Sequence, residues 1–92
     1  ITPWLKVAHM AEAHNIVVCP HFLMELHVSL VCAIPNAKWL EYIPQLELIT
    51  NDQMKMKNGY AYPSDVPGLG IDWDLDEIQK QSVISETVTG AN

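Results

Sequence analysis

The sequence predicts an α/β fold, and three features of its central stretch, residues 15–42, carry that prediction. Two short apolar runs, residues 16–19 and 38–42, are separated by an apolar segment of helix length. A crossover of this length joins parallel strands, which are usually covered on both faces and therefore apolar without alternation. His21 and Glu41 lie at the ends of the two runs, where α/β folds place their chemistry.

The first predicted helix covers residues 3–14. Thr2-Pro3 favours a helix start, with threonine as the N-cap and proline in the first helical position. The apolar residues that follow recur at helical spacing and form one stripe: Trp4, Val7, Ala8 and Ala11. Asn15 tolerates a left-handed backbone and marks the end of this helix.

The central elements follow directly. The run 16–19 is rich in β-branched residues without alternation, which favours a buried strand. Residues 23–34 form the second predicted helix, and this helix is apolar on almost every side, so we expect more than one neighbour to bury it. Pro35-Asn36 ends the helix, and residues 38–42 form the second strand.

The pattern of apolar and polar residues changes after Pro44. Alternating residues flank Asn58-Gly59, a pair typical of a type I′ turn, and predict a β-hairpin at about residues 54–62. Residues 67–70 are a turn-rich connector. Residues 82–92 are polar and aperiodic, so we expect a flexible tail.

A short last helix is predicted before that tail. Asp74 and Glu77 have the spacing of a capping box, with aspartate in the place of serine or threonine. The helix should run to about Gln81.

Size and charge narrow the class of protein. A chain of 92 residues forms at most one small domain, yet 49% of its residues are apolar. We therefore expect a partner or a further part of the protein to cover apolar surface. The net charge of −6 and the lack of a basic patch argue against nucleic-acid binding. No apolar segment is long enough to span a bilayer, so no membrane association is expected.

The two cysteines, Cys19 and Cys32, lie in apolar segments and are predicted to be buried thiols in a reducing compartment. A disulfide between them stays possible but has no support. The first residues have neither a basic start nor a long apolar core, so we expect no secretory signal and a cytoplasmic location. Because the chain begins with Ile1 rather than methionine, we expect that Ile1 is not the natural start.

His21 is the best candidate for acid–base chemistry, because imidazole exchanges protons near neutral pH. Glu41 could donate a hydrogen bond if burial kept it protonated, or pair with a cation as an ordinary surface carboxylate. A Cys19–His21 nucleophile pair is conceivable, although a buried strand cysteine is the simpler interpretation. His21 and Glu25 are four residues apart but lack a third ligand, so no metal site is expected within this chain.

Several segments of the sequence, taken in order, carry a family resemblance. TPWLKVAHMAEAHNIVVCPH is followed by WLEY, with His21 and Glu41 twenty residues apart, and then by NGYAYPSDVPGLGIDWD. Over about residues 1–80 this order resembles the C-terminal end of enolase-superfamily enzymes of the mandelate racemase subgroup. Within that subgroup the sequence is most similar to acid-sugar dehydratases of the galactarate/talarate type.

The resemblance implies a fold: the C-terminal portion of a modified TIM barrel, (β/α)7β, plus a β-hairpin tail that belongs to a capping domain. Residues 1–44 would be barrel, 45–81 the return to the capping domain and 82–92 the flexible tail. By the same resemblance, residues 3–14 and 16–20 match the sixth barrel helix and the seventh strand. The next helix is then the seventh, and residues 38–41 form the eighth strand.

The resemblance also implies a chemistry. The family abstracts a proton α to a carboxylate and forms an enediolate stabilised by Mg²⁺. His21 matches the general acid/base at the end of the seventh strand, and Glu41 matches the glutamate that hydrogen-bonds the substrate carboxylate, so both are catalytic and substrate-binding by implication. The Mg²⁺ ligands of the family come from the third, fourth and fifth strands and lie outside this chain.

Three functions stay open at this point. The first is a fragment of a Mg²⁺-dependent hydro-lyase that dehydrates an acid sugar, incomplete and inactive as 92 residues. The second is a racemase or epimerase of the same superfamily, because the same histidine and glutamate serve both reactions. The third is a non-catalytic truncated module that associates through apolar faces. A homo-oligomer is expected for the full-length enzyme.

Overall fold

The computed structural model describes residues 1–90 of the chain. The regular elements of this part are three α-helices, one turn of 3₁₀-helix and one two-stranded sheet. In chain order they are α1 (Thr2–Ala13), α2 (Met24–Cys32), the 3₁₀ turn (Glu47–Ile49), β1 (Lys55–Lys57), β2 (Tyr60–Tyr62) and α3 (Leu75–Gln81).

Helix α1 forms where the sequence predicts it, but its start differs by one residue. Ile1 is the N-cap and no side chain caps the helix, so the prediction that Thr2 is the N-cap is wrong. Pro3 still lies in the first turn, where its missing N–H costs no hydrogen bond.

The end of α1 is confirmed as a left-handed stop. Asn15 has φ 55°. Its amide donates to the carbonyl of Glu12 at 2.9 Å, and the amide of Ile16 donates to the carbonyl of Ala11 at 2.8 Å. These two bonds satisfy carbonyls that a helix end leaves free, as in a Schellman motif.

The two predicted strands are much shorter than expected. Val18 and Ala37 form an isolated parallel pair, and the amide of Val18 donates to the carbonyl of Asn36 at 2.8 Å. The parallel direction agrees with the prediction, but residues 16–19 and 38–42 are not regular strands. A longer ladder needs neighbouring strands on its outer edges, and residues 1–90 provide none there.

Asn36 holds this region together. Its Nδ2 amide donates to the carbonyl of Ala8 in α1 and to the carbonyl of Ile16, both at 3.1 Å. One side chain thus joins α1, the segment before the parallel pair and the loop after α2. Because its backbone carbonyl also accepts from Val18, Asn36 fixes the register of the pair.

The buried core of residues 1–90 is small, and the prediction that both cysteines are buried is wrong. Among the described residues, four apolar ones are buried: Ala8, Met24, Val28 and Ile34. Helix α2 therefore buries one side only, rather than most of its surface. Cys19 and Cys32, predicted to be buried, are exposed free thiols, because no element of the described chain covers the faces that carry them.

The predicted hairpin is present. Strands β1 and β2 pair antiparallel with Lys55 opposite Tyr62 and Lys57 opposite Tyr60. The turn residues Asn58 and Gly59 have φ values of 53° and 79°, as a type I′ turn requires.

The predicted cap of α3 is also present. The Asp74 carboxylate accepts from the amide of Glu77 at 3.0 Å. The second half of the capping box does not form, because the Asp74 amide donates to the carbonyl of Ile49 at 2.9 Å, while the Glu77 carboxylate accepts from Gln81 at 2.9 Å. Residues 82–90 follow without regular structure and are exposed, whereas 91 and 92 of the predicted tail lie outside the described residues.

Much apolar surface is exposed, including Trp39 (69% exposed). Within residues 1–90, no helix is both long and apolar enough to cross a membrane.

We expect Asn36→Ala to lower the free energy of unfolding of the native protein by about 1–3 kcal/mol, since two hydrogen bonds are lost. Asn36→Asp should cost more, because a carboxylate would face two carbonyl oxygens. Denaturant unfolding measures both, and hydrogen exchange of the Val18 amide reports on the parallel pair. Gln45→Ala, which removes an exposed amide, is the control and should change stability by less than about 0.5 kcal/mol. Equal stability of Asn36→Ala and the control would contradict this role.

We also expect the isolated 92-residue chain to self-associate, because large apolar side chains are exposed over much of its surface. Light scattering coupled to gel filtration over a range of concentrations measures this. A monomer that unfolds cooperatively would contradict the expectation.

Candidate active site

The parallel pair brings His21 and Glu41 together. His21 follows Val18 by three residues, with Pro20 between them, and Glu41 follows Ala37 by four. Because paired parallel segments leave at the same edge, their ends meet: His21 Nε2 lies 3.4 Å from Glu41 Oε2. The sequence predicted this juxtaposition from the βαβ pattern alone.

This contact orients the two side chains more than it stabilises the fold. The His21 side chain is 78% exposed and that of Glu41 is 43% exposed. A separation of 3.4 Å is long for a hydrogen bond, and ion pairs this exposed contribute little to stability. What the arrangement offers is a group that transfers protons next to a carboxylate.

The backbone fixes the Glu41 carboxylate more firmly. The amide of Phe22 donates to Glu41 Oε2 at 3.2 Å, so the same oxygen contacts the residue after His21 and the imidazole of His21. The histidine and the carboxylate are therefore linked through the chain as well as through their side chains.

A left-handed turn follows His21. Phe22 has φ 71°, and Leu23 has φ 47° and ψ 55°. Such a conformation costs a non-glycine residue about 1–3 kcal/mol and persists only where the surroundings hold it. The sequence predicts that the second helix begins at residue 23, whereas α2 begins at Met24 with Leu23 as its left-handed N-cap.

The contact that holds this turn was missed by sequence reasoning. His27 Nδ1 lies 2.6 Å from the carbonyl oxygen of Phe22, one turn into α2. A histidine inside an apolar helix carries no pattern that marks it as a partner of a backbone carbonyl, so no sequence signal could have found it.

An open groove lies against the His21–Glu41 pair. Its lining residues come from both segments: Cys19, Pro20, His21, Trp39, Leu40 and Glu41. The hydrogen bonds among residues 1–90 include none between Cys19 and His21, so the nucleophile pair considered above gains no support. Trp39 and Leu40 give the groove an apolar wall beside its two polar groups.

The other histidines and acids do not join this groove. His9 lies on α1 and His14 is its C-cap. Glu25 lies four residues after His21 on α2 but lines a separate cavity facing residues 50–71, where both carboxylate oxygens are buried without a hydrogen-bond partner. In the part of the chain that the structure describes, no group of three His, Cys, Asp or Glu side chains could hold a metal ion.

Fold and site together define the class: an α/β protein with an imidazole and a carboxylate at the adjoining ends of two parallel-paired segments. A family model described as enolase C-terminal domain-like matches residues 1–78. The chain belongs to the enolase C-terminal domain-like family, which confirms the resemblance drawn from its sequence.

Individual relatives agree with the family. The chain is 39% identical over 70 residues to the L-talarate/galactarate dehydratase of Salmonella typhimurium. The matched region makes up 76% of this chain and 18% of that protein. It is also similar to the structure of L-talarate dehydratase from Polaromonas sp. JS666, complexed with Mg and L-glucarate: TM-score 0.77, 36% identity, 86% of this chain and 22% of that one. The Salmonella dehydratase with Mg and L-lyxarohydroxamate gives TM-score 0.78 and 34% identity, over 86% of this chain and 20% of that one. The chain thus spans about a fifth of the length of these relatives.

We expect Glu41→Ala to speed hydrogen exchange of the Phe22 amide, because the acceptor at 3.2 Å is removed. Glu41→Gln keeps an acceptor oxygen in the same place and should preserve most of the protection. Amide exchange followed by NMR or mass spectrometry measures both variants in the native protein. Equal exchange rates in Glu41→Ala and Glu41→Gln would show that the carboxylate does not hold this backbone.

Proposed function

We propose that this chain is the C-terminal part of a Mg²⁺-dependent acid-sugar dehydratase. The observation that carries the proposal is the meeting of His21 and Glu41 at the ends of two parallel-paired segments. It is supported by the similarity to dehydratases that act on L-talarate and galactarate.

In this proposal residues 1–44 complete a barrel of the (β/α)7β type. Helix α1 is its sixth helix, α2 its seventh, and the segments around Val18 and Ala37 belong to its seventh and eighth strands. The hairpin and the residues around it return to a capping domain. The exposed apolar surface and the span of about a fifth of the relatives support a larger protein whose other segments cover these faces.

His21 is the general acid/base of the proposed reaction. Its imidazole takes the proton from the carbon α to the substrate carboxylate, which leaves an enediolate. The same imidazole then returns the proton to the β-hydroxyl, which departs as water while the carbon–oxygen bond breaks. The remaining enol rearranges to a 2-keto acid. The exposure of the His21 side chain into the groove leaves room for such a substrate.

Glu41 is the hydrogen-bonding partner of the substrate carboxylate. Its carboxyl group hydrogen-bonds the substrate carboxylate oxygen on which negative charge grows as the enediolate forms. A donor fixed in advance at that position stabilises the transition state more than the ground state. The bond from the Phe22 amide supports this role, because it holds Oε2 and so fixes the orientation of the whole carboxyl group.

The Mg²⁺ ligands are proposed to lie outside this chain. The residues that the structure describes do not offer a ligand set, and the His21–Glu41 pair alone does not make one. Bound by carboxylates elsewhere in the protein, the ion would supply charge stabilisation at the substrate carboxylate. We also place the enzyme in the cytoplasm and expect a homo-oligomer.

We expect His21→Asn to lower kcat for acid-sugar dehydration in the native protein by about 10²- to 10⁴-fold, the usual contribution of a positioned general acid/base. Glu41→Gln should lower it by about 10²- to 10³-fold, as loss of an oxyanion donor does elsewhere. The assay measures the 2-keto product from a panel of acid sugars with Mg²⁺. His9→Asn, an exposed histidine on α1, is the matched control and should keep full activity.

Deuterium exchange from solvent separates the related chemistries. A dehydratase gives the 2-keto product, whereas exchange at the α carbon without loss of hydroxyl would show an epimerase or racemase instead. Wild-type activity that His21→Asn leaves intact would overturn the proposed mechanism.

A further inference from the structure

We propose that His27 is a positioning residue for His21, acting through the backbone of Phe22, and that it does so as the Nδ1–H tautomer. The proposal rests on the proposed acid–base role of His21. His27 does not line the groove, so it is not a catalytic residue.

The hydrogen bond to Phe22 determines which ring nitrogen of His27 carries the proton. Its Nδ1 lies 2.6 Å from the carbonyl oxygen of Phe22. A carbonyl oxygen only accepts hydrogen bonds, so Nδ1 must donate. The neutral imidazole of His27 therefore carries its proton on Nδ1, which is the requirement that the geometry places on this side chain.

The backbone of Phe22 is held on both sides. Both polar backbone groups of Phe22 are engaged: the amide donates to Glu41 Oε2 at 3.2 Å, and the carbonyl accepts from His27. Since peptide units are planar, holding these two groups restrains both backbone dihedrals of Phe22. The peptide group that carries the Phe22 amide also contains the carbonyl of His21, so the clamp reaches the backbone of the proposed base.

The two hydrogen bonds to Phe22 maintain a left-handed backbone. Phe22 and Leu23 are both left-handed although neither is glycine. A left-handed backbone in bulky residues persists only when tertiary contacts hold it. Without the bond from the His27 side chain, Leu23 stays bound to α2 through its carbonyl, but Phe22 loses its own contact with the helix. Relaxation of Phe22 towards an ordinary conformation would then move His21 relative to Glu41.

The anchor itself is firmly placed. The backbone amide of His27 donates to the carbonyl of Leu23 at 3.1 Å in the first turn of α2. Its ring lies against Trp4 of α1, with centroids 6.1 Å apart and planes tilted by 36°. His27 thus transmits the position of two helices to the turn after His21.

Two substitutions separate the hydrogen bond from the packing. In His27→Asn the side-chain amide nitrogen would occupy the place of Nδ1, so this variant keeps the donor to Phe22. His27→Gln places its nitrogen near the site of Nε2 and loses that bond. Both variants remove the ring that contacts Trp4, so any loss of packing is shared between them.

In the native enzyme we expect His27→Gln to lower kcat by about 10- to 100-fold with little change in KM, as a displaced catalytic group does. His27→Asn should stay within about 3-fold of wild type, which corresponds to recovery of the positioning hydrogen bond. Exchange of the Phe22 amide should accelerate in His27→Gln and not in His27→Asn. The thermal midpoints of the two variants should be similar, because they lose the same packing.

The tautomer tests the proposal without any substitution. Long-range ¹H–¹⁵N NMR of the wild-type protein should show His27 protonated on Nδ1 in its neutral form. An Nε2–H tautomer would overturn the proposal, and so would equal kcat values in His27→Asn and His27→Gln. If the wild-type protein dehydrates no acid sugar, the proposed function fails, whereas the tautomer and the Phe22 exchange rates still decide whether His27 holds this turn.

Discussion

The parallel contact between Val18 and Ala37 is the constraint on which the candidate site depends. It is a short contact, and by itself a single backbone hydrogen bond would not fix the relative position of two segments. Asn36 supplies what the ladder lacks, because its side chain binds the carbonyls of Ala8 and Ile16 while its own carbonyl accepts from Val18. The ends of the two segments are aligned for this reason, and His21 meets Glu41.

Beyond that contact, the site depends on two anchors that hold Phe22 from opposite sides. One comes from Glu41, after the second segment, and the other comes from His27 on α2. The left-handed turn is thus determined by tertiary contacts rather than by the local preference of Phe22 and Leu23. This arrangement couples His21 and Glu41 to the helix between them, so that a shift of α2 would move both residues.

Most of the features that the sequence predicts correctly have local signals, although the equally local signal at Thr2 failed, since Ile1 is the N-cap of α1. The left-handed stop at Asn15, the Asn58-Gly59 turn and the Asp74 cap each need only neighbouring residues, and each is present. The meeting of His21 and Glu41 could also be predicted, because a βαβ pattern aligns strand ends. The lengths of the strands and the burial of Cys19 and Cys32 could not, because they depend on elements that cover them. The role of His27 could not either, since one hydrogen bond to a backbone carbonyl has no periodicity.

Because the site is exposed, the positions of its side chains and the strength of its electrostatic interactions depend on different parts of the protein. Two unit charges about 4 Å apart attract by roughly 1 kcal/mol in bulk water and by roughly 4 kcal/mol at an effective dielectric constant of about 20. In the described chain His21 and Glu41 face solvent, so water weakens any electrostatic interaction at this site. Trp39, which lines the same groove, is largely exposed as well. In the proposed enzyme, whatever covers this apolar wall also excludes water from the two polar groups. Residues of this chain would then set where the proton moves, and residues elsewhere in the protein would set how strongly the developing charge is stabilised.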